Sequence, residues 1–186
     1  MEQSDTRPNL RTYNSIINHW SKVGTAEAAE KSESILKHLK QMSKDRPELK
    51  PDAYSYNLVE RAWSLTECPH AADRMWSLYE QMESDGIQIN LVTFTTLIMF
   101  FATMSHAYVI DRADRLLQRM EVSGMPDLRP NHLHYRAVID GWLRIGNVDR
   151  VGLLLLRCDE VYARNKANGV ARPGNVDGES FRASAI

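Results

Sequence analysis

The feature that most limits what this chain can fold into is an internal repeat. Pro8-Asn9-Leu10-Arg11-Thr12-Tyr13 returns as Pro51-Asp52-Ala53-Tyr54-Ser55-Tyr56, Ile89-Asn90-Leu91-Val92-Thr93-Phe94 and Pro130-Asn131-His132-Leu133-His134-Tyr135. The closing aromatic residues stand 43, 38 and 41 positions apart, and seven positions after each comes a second aromatic: Trp20, Trp63, Phe101 and Trp142. A second alignment agrees, since Met42, Met82, Met120 and Cys158 follow at intervals of 40, 38 and 38 residues, and Asp73-Arg74, Asp111-Arg112 and Asp149-Arg150 precede the last three at one fixed distance. Periods of this size mark stacked supersecondary units, none of which can bury its apolar face alone.

Each unit reads as two helices. Tyr13, Ile16, Ile17 and Trp20 fall on one face at a 3.6-residue period, and the equivalent positions of the other units are apolar except Glu60. Asn9, Asp52, Asn90 and Asn131 are good N-caps, and the residue before each would pack on the fourth helical residue as a hydrophobic staple. In the second element Met42, Leu39 and Ile35, with Met82, Tyr79, Met75, then Met120, Leu117, Ala113, then Cys158, Leu155, Val151, form another helical stripe. Gly24 and Gly146 fall between the two helices of the first and fourth units. Sustained alternation and hairpin turns between β-rich runs are absent from the sequence. The expected fold is therefore all-α, an α-solenoid of stacked helix-turn-helix repeats with a concave face.

Composition narrows the function. With 23 Lys+Arg against 24 Asp+Glu the net charge is −1, so any nucleic-acid site must be a local groove rather than a general attraction. Cys68 and Cys158 make neither a disulfide framework nor a CxxC zinc pair. The longest apolar run, Leu97 to Ala102, is far shorter than a membrane helix needs, and residues 1–8 lack a signal-peptide core. Trp20, Trp63, Phe101 and Trp142 read as core, since they share a face with Ile16 and Ile17. His132 and His134 point to different sides of a helix and find no Cys or acid to complete a metal set. Gly141 to Gly146 has the glycine spacing of a phosphate loop but not its Lys-Ser/Thr. Asp111 with Asp114, and Asp159 with Glu160, read as solvated surface charge. No catalytic constellation, cofactor site or metal site remains, which argues against an enzyme.

The opening Pro-[Asn/Asp]-x-x-[Thr/Ser/His]-[Tyr/Phe], the Leu/Ile pair, and a Met with Gly four residues later (Gly86, Gly124) resemble pentatricopeptide repeats. The resemblance spans Pro8 to about Pro173, with units a few residues longer than usual for that family. It divides the chain into a tail at 1–7, four repeats at 8–50, 51–88, 89–129 and 130–172, and a fifth beginning within 173–186, where Phe181-Arg182-Ala183 echoes Tyr135-Arg136-Ala137. This reading makes the chain a piece of a longer array. The resemblance implies a right-handed superhelix that binds single-stranded RNA at one base per repeat, each base read by the residue after the anchor aromatic and the Asx opening the next repeat.

The reading pairs would be Asn14 with Asp52, Asn57 with Asn90, Thr95 with Asn131, and Arg136 with Gly174, the last matching no reading pair. By the family's preferences the first three predict U-(C/U)-A. Arg11, Tyr54, Val92 and Leu133, two before each anchor, would cover base faces, although Tyr54 alone among them is aromatic. Lys22 and Arg144, nine after an anchor, would meet phosphate. The same resemblance implies a mitochondrial or plastid role in RNA processing, stability or translation, with other protein factors as further partners. Two alternatives stand beside it: a protein-binding helical scaffold, and the repeat region of an RNA-processing enzyme whose nuclease lies in another domain.

Overall fold

The computed structural model of the protein describes residues 7–167, so Gly174 and the fifth-repeat segment 173–186 lie outside the described residues. Among these residues the chain forms helices α1 (Leu10–Trp20), α2 (Ala26–Met42), α3 (Ala53–Ser64), α4 (Ala71–Ser84), α5 (Leu91–Thr103), α6 (Ala107–Val122), α7 (His132–Arg144) and α8 (Val148–Ala167), with no strand. Short 3-10 turns at Pro47–Leu49 and Pro126–Leu128 precede α3 and α7. No helix among the described residues is long and apolar enough to cross a membrane.

All four first helices start where the Asx residues predict. Asn9 accepts from Thr12 N at 3.0 Å, Asp52 from Ser55 N at 2.9 Å, Asn90 from Thr93 N at 3.1 Å and Asn131 from Leu133 N at 3.0 Å. Each bond satisfies a donor that the helix itself leaves without a partner. At the far end of the second hairpin Gly86 takes φ +66°, which lets Ile87 N donate back to Met82 O at 2.9 Å and closes α4.

The described residues form two compact units that divide inside α5, the first running to Leu97 and the second from Ile98. In the first, α1 lies on α2, and α3 packs against α1, α2 and α4. Ile17, Leu36, Leu39, Tyr56, Val59, Trp63, Met75 and Met82 make its core. In the second, α7 packs on α6 and α8 around Ile98, Phe101, Ile110, Leu117, Val138 and Trp142. Gly141 marks a close approach there, since a Cβ on it would stand 2.9 Å from Ala102 O.

Burial bears out the anchor face with two corrections. Ile16 is 42% exposed and Trp20 only half-buried, because α1 has no described helix behind it, whereas α3 has α2. Lys31 covers the open ring of Trp20 with its ammonium 4.7 Å from the centroid, and Arg74 and Arg150 sit in the same way over Trp63 and Trp142. Glu60, the exception in the pattern, is fully buried in a position filled elsewhere by Ile17, Ile98 and Ile139, and neither of its carboxyl oxygens has a hydrogen-bond partner. A third correction concerns Asp114, which is not surface charge. It is buried on α6 and ion-paired with Arg157 and Arg150 of α8, so its charge joins two helices.

Candidate functional site

α1 and the start of α3 border a cleft of about 560 Å³ in the first unit. Arg11, Asn14 and Asn18 line it from α1, Asp52 and Tyr54 from the opening of α3, and Glu48 from the preceding 3-10 turn. Asn14 is only 6% exposed, and its Oδ1 accepts from Ser55 Oγ at 2.8 Å. The same hydroxyl lies 2.9 Å from Asp52 Oδ1 and accepts from Asp52 N at 3.4 Å, so a single O–H sits between the two expected reading residues. Tyr54, at 55%, and Arg11 are exposed where they border the cleft. Arg46 donates to Glu48 at 2.8 Å, a bond that holds the Glu48 carboxyl below its ordinary range.

The arrangement returns one repeat later. Thr93 Oγ1 donates to Asn57 Oδ1 at 2.7 Å and lies 3.3 Å from Asn90 Oδ1, while Asn57 Nδ2 donates to Asn90 Oδ1 at 3.3 Å. Val92, at 58%, is exposed in the position equivalent to Tyr54.

The remaining two expected readers, Thr95 and Asn131, lie in different units. Thr95, half-buried, donates its hydroxyl back to Leu91 O at 2.7 Å. Asn131 caps α7 in the second unit, where His134 replaces the bridging hydroxyl and accepts from Asn131 N through Nδ1 at 3.1 Å. Burial lowers the His134 pKa, which favours the neutral ring that such an acceptor requires. Leu133 is half exposed. Arg136, expected to pair with Gly174, carries its Nε 3.5 Å from Asp140 Oδ2.

The two expected phosphate contacts also differ. Lys22 is exposed. Arg144 Nη1 donates to Ala102 O at 2.9 Å and Met104 O at 3.4 Å, around the end of α5, so part of its guanidinium is already engaged. Among the described residues no three His, Cys, Asp or Glu side chains converge to hold a metal ion.

Comparison with known proteins adds what geometry alone does not. Residues 77–142, from α4 through most of α7, match the pentatricopeptide repeat domain. The chain thus resembles pentatricopeptide repeat proteins over this stretch. Its structure is similar to the crystal structure of the pentatricopeptide repeat protein PPR10 from maize, with TM-score 0.65 and 23% identity over 89% of this chain. That likeness identifies the fold as a helical-repeat solenoid, and the chain spans 21% of the maize protein's length. No curated protein matches the sequence.

What the chain offers a ligand is a set of hydrogen-bonding edges at two places, beside Asn14 and Asp52 and beside Asn57 and Asn90. Asp52 keeps a second carboxylate oxygen, an acceptor, beside the Asn14 amide, a donor. Asn57 spends one N–H on Asn90 and retains another, and Asn90 adds its own amide donors. Sequence reasoning missed the bridging role of Ser55 and Thr93. Its signal was present in the Thr/Ser/His before each anchor, but a hydroxyl there reads equally well as half of a capping box. It also missed Glu48, which only the 3-10 turn in the long first connection carries to the cleft.

Proposed function

We propose that this protein binds single-stranded RNA, one base per repeat, with residues 8–50, 51–88, 89–129 and 130–172 as its reading units. The observation that carries this reading is the cleft beside Asn14 and Asp52, bordered by exposed Tyr54 and Arg11, with the Asn57–Asn90 pair repeating its chemistry. A base inserted there meets hydrogen-bonding groups at its Watson-Crick edge and a flat side chain at its face, the combination by which single-stranded RNA is read.

The donor and acceptor at Asn14 and Asp52 complement uracil, whose edge presents N3–H and O4. The donor-rich Asn57 and Asn90 suit the acceptors of a pyrimidine, N3 and O2 of cytosine above all. With Thr95 and Asn131 reading adenine, the preferred core is U-(C/U)-A. Lys22 and the unspent donors of Arg144 supply phosphate contacts, few enough that affinity depends only modestly on salt. An organellar role in RNA processing, stability or translation is part of the same reading and rests on the family alone.

Fluorescence anisotropy with a short labelled RNA tests the reading. A tract containing U-C-A should bind about tenfold or more tightly than one with the three bases replaced by guanine, since each well-made base contact discriminates by roughly 1–3 kcal/mol. Equal affinity for every tract, or none, would favour a groove that holds a peptide.

A further inference from the structure

We propose that the hydroxyl at the third helical position of a repeat, Ser55 in one and Thr93 in the next, sets which edge of the preceding repeat's asparagine faces the base. This rests on the RNA-reading function above and names the residues that orient its readers. An asparagine carboxamide has an acceptor edge and a donor edge that differ little in shape, so a reading asparagine left to rotate would present either and discriminate poorly. Here rotation is opposed from the neighbouring repeat. Ser55 Oγ approaches Asn14 Oδ1 at 2.8 Å and Thr93 Oγ1 approaches Asn57 Oδ1 at 2.7 Å, across 41 and 36 residues of sequence.

In both repeats the carbonyl edge is the one consumed, and in both the same hydroxyl lies within 3.3 Å of the capping residue's Oδ1 as well. One hydroxyl therefore lies within hydrogen-bond reach of both members of a reading pair, its single proton shared between them. The asparagine is left to present N–H, a donor, and selects bases that carry an acceptor at that point. Ser55 and Thr93 touch no base themselves and are positioning residues. In the fourth repeat His134 occupies their place and accepts from Asn131 N instead.

The test compares Ser55→Ala and Thr93→Val with the hydroxyl-retaining Ser55→Thr and Thr93→Ser. Anisotropy titrations use RNAs varied one base at a time in the U-C-A core. Wild type should discriminate at each base by about tenfold. Ser55→Ala should bring discrimination at the first base alone to within about twofold, and Thr93→Val should do so at the second base alone, with the remaining bases and total helicity unchanged and with both hydroxyl-retaining variants near wild type.

A purely structural role would lower stability and weaken all bases together. Side-chain amide ¹⁵N relaxation of Asn14 and Asn57 gives a readout free of RNA: each carboxamide should lose order when its partner hydroxyl is removed. Unchanged order, or variants that keep base-by-base discrimination, would overturn the positioning role while leaving RNA reading intact. Wild type that binds every tract alike would overturn both, and the amide relaxation would then report a structural contact alone.

Discussion

Glu60 offers the sharpest test of how this core is built. It lies at the fourth position after an anchor, where Ile17, Ile98 and Ile139 fill the same place, and it is 0% exposed with both carboxyl oxygens unpartnered. Nearby Glu33 shows what a satisfied buried carboxylate looks like, accepting from Trp63 Nε1 at 3.0 Å and pairing with Lys37 at 2.7 Å. Burial alone pushes the Glu60 carboxyl well above its ordinary value, so the folded protein keeps its proton to higher pH than the unfolded chain does.

Replacing it with methionine, also unbranched, removes the unsatisfied oxygens without reshaping the site and should stabilise the protein by about 1–3 kcal/mol at pH 5. The sign of the pH dependence follows from the raised folded pKa. Below about 4.5 both folded and unfolded forms are protonated and the acid costs nothing further. As pH rises the unfolded chain ionises first, and wild type loses up to about 1.4 kcal/mol per pH unit until the folded carboxyl also ionises. Urea denaturation followed by circular dichroism at pH 5, 6 and 7 should therefore show the advantage of Glu60→Met widening as pH rises, other titrations cancelling in the difference. A constant gap, or a variant less stable at every pH, would refute the reasoning.

Three further outcomes are expected. Trp63→Ala should lower stability by about 3–5 kcal/mol in the same denaturation assay, since the ring is buried between helices; a loss under about 1 kcal/mol would mean the aromatic spacing is not a core signal. Gly141→Ala should destabilise by about 1–3 kcal/mol because its Cβ meets the Ala102 carbonyl, whereas Gly152→Ala, open on all sides, should stabilise α8 by about 0.5–1 kcal/mol, both read as shifts in denaturation midpoint. Thr95→Asn should move preference at its base from adenine toward pyrimidine with helicity intact, as anisotropy on RNAs varied at that base would show; an unchanged preference would deny Thr95 a reading role.

Much of the fold was legible because its signals are local. An Asx cap bonds a backbone N–H only two or three residues on, so Asn9, Asp52, Asn90 and Asn131, each just ahead of an apolar helical stripe, could be placed from sequence alone. Trp63, Phe101 and Trp142 were likewise fixed in the core by their period. Trp20 and Ile16 carry the same periodic signal and are less buried, because a period records which face a residue takes and not whether a neighbour covers it. Asp114 failed for the complementary reason. Its charge reads as solvent-facing until Arg150 and Arg157, some 40 residues later, are brought beside it.

The sequence by itself determined the repeat, its pairs of helices and the Asx caps of the four first helices, since each depends on residues within a turn or two of one another. Only the tertiary structure decided how the repeats meet. Hydrogen bonds from Ser55 to Asn14 and from Thr93 to Asn57 join residues 41 and 36 positions apart, and no local pattern can say which atom of a carboxamide such a bond will consume. The same holds for Glu60, an exception to the sequence pattern whose isolation from every hydrogen-bond partner appears only when the surrounding helices close over it.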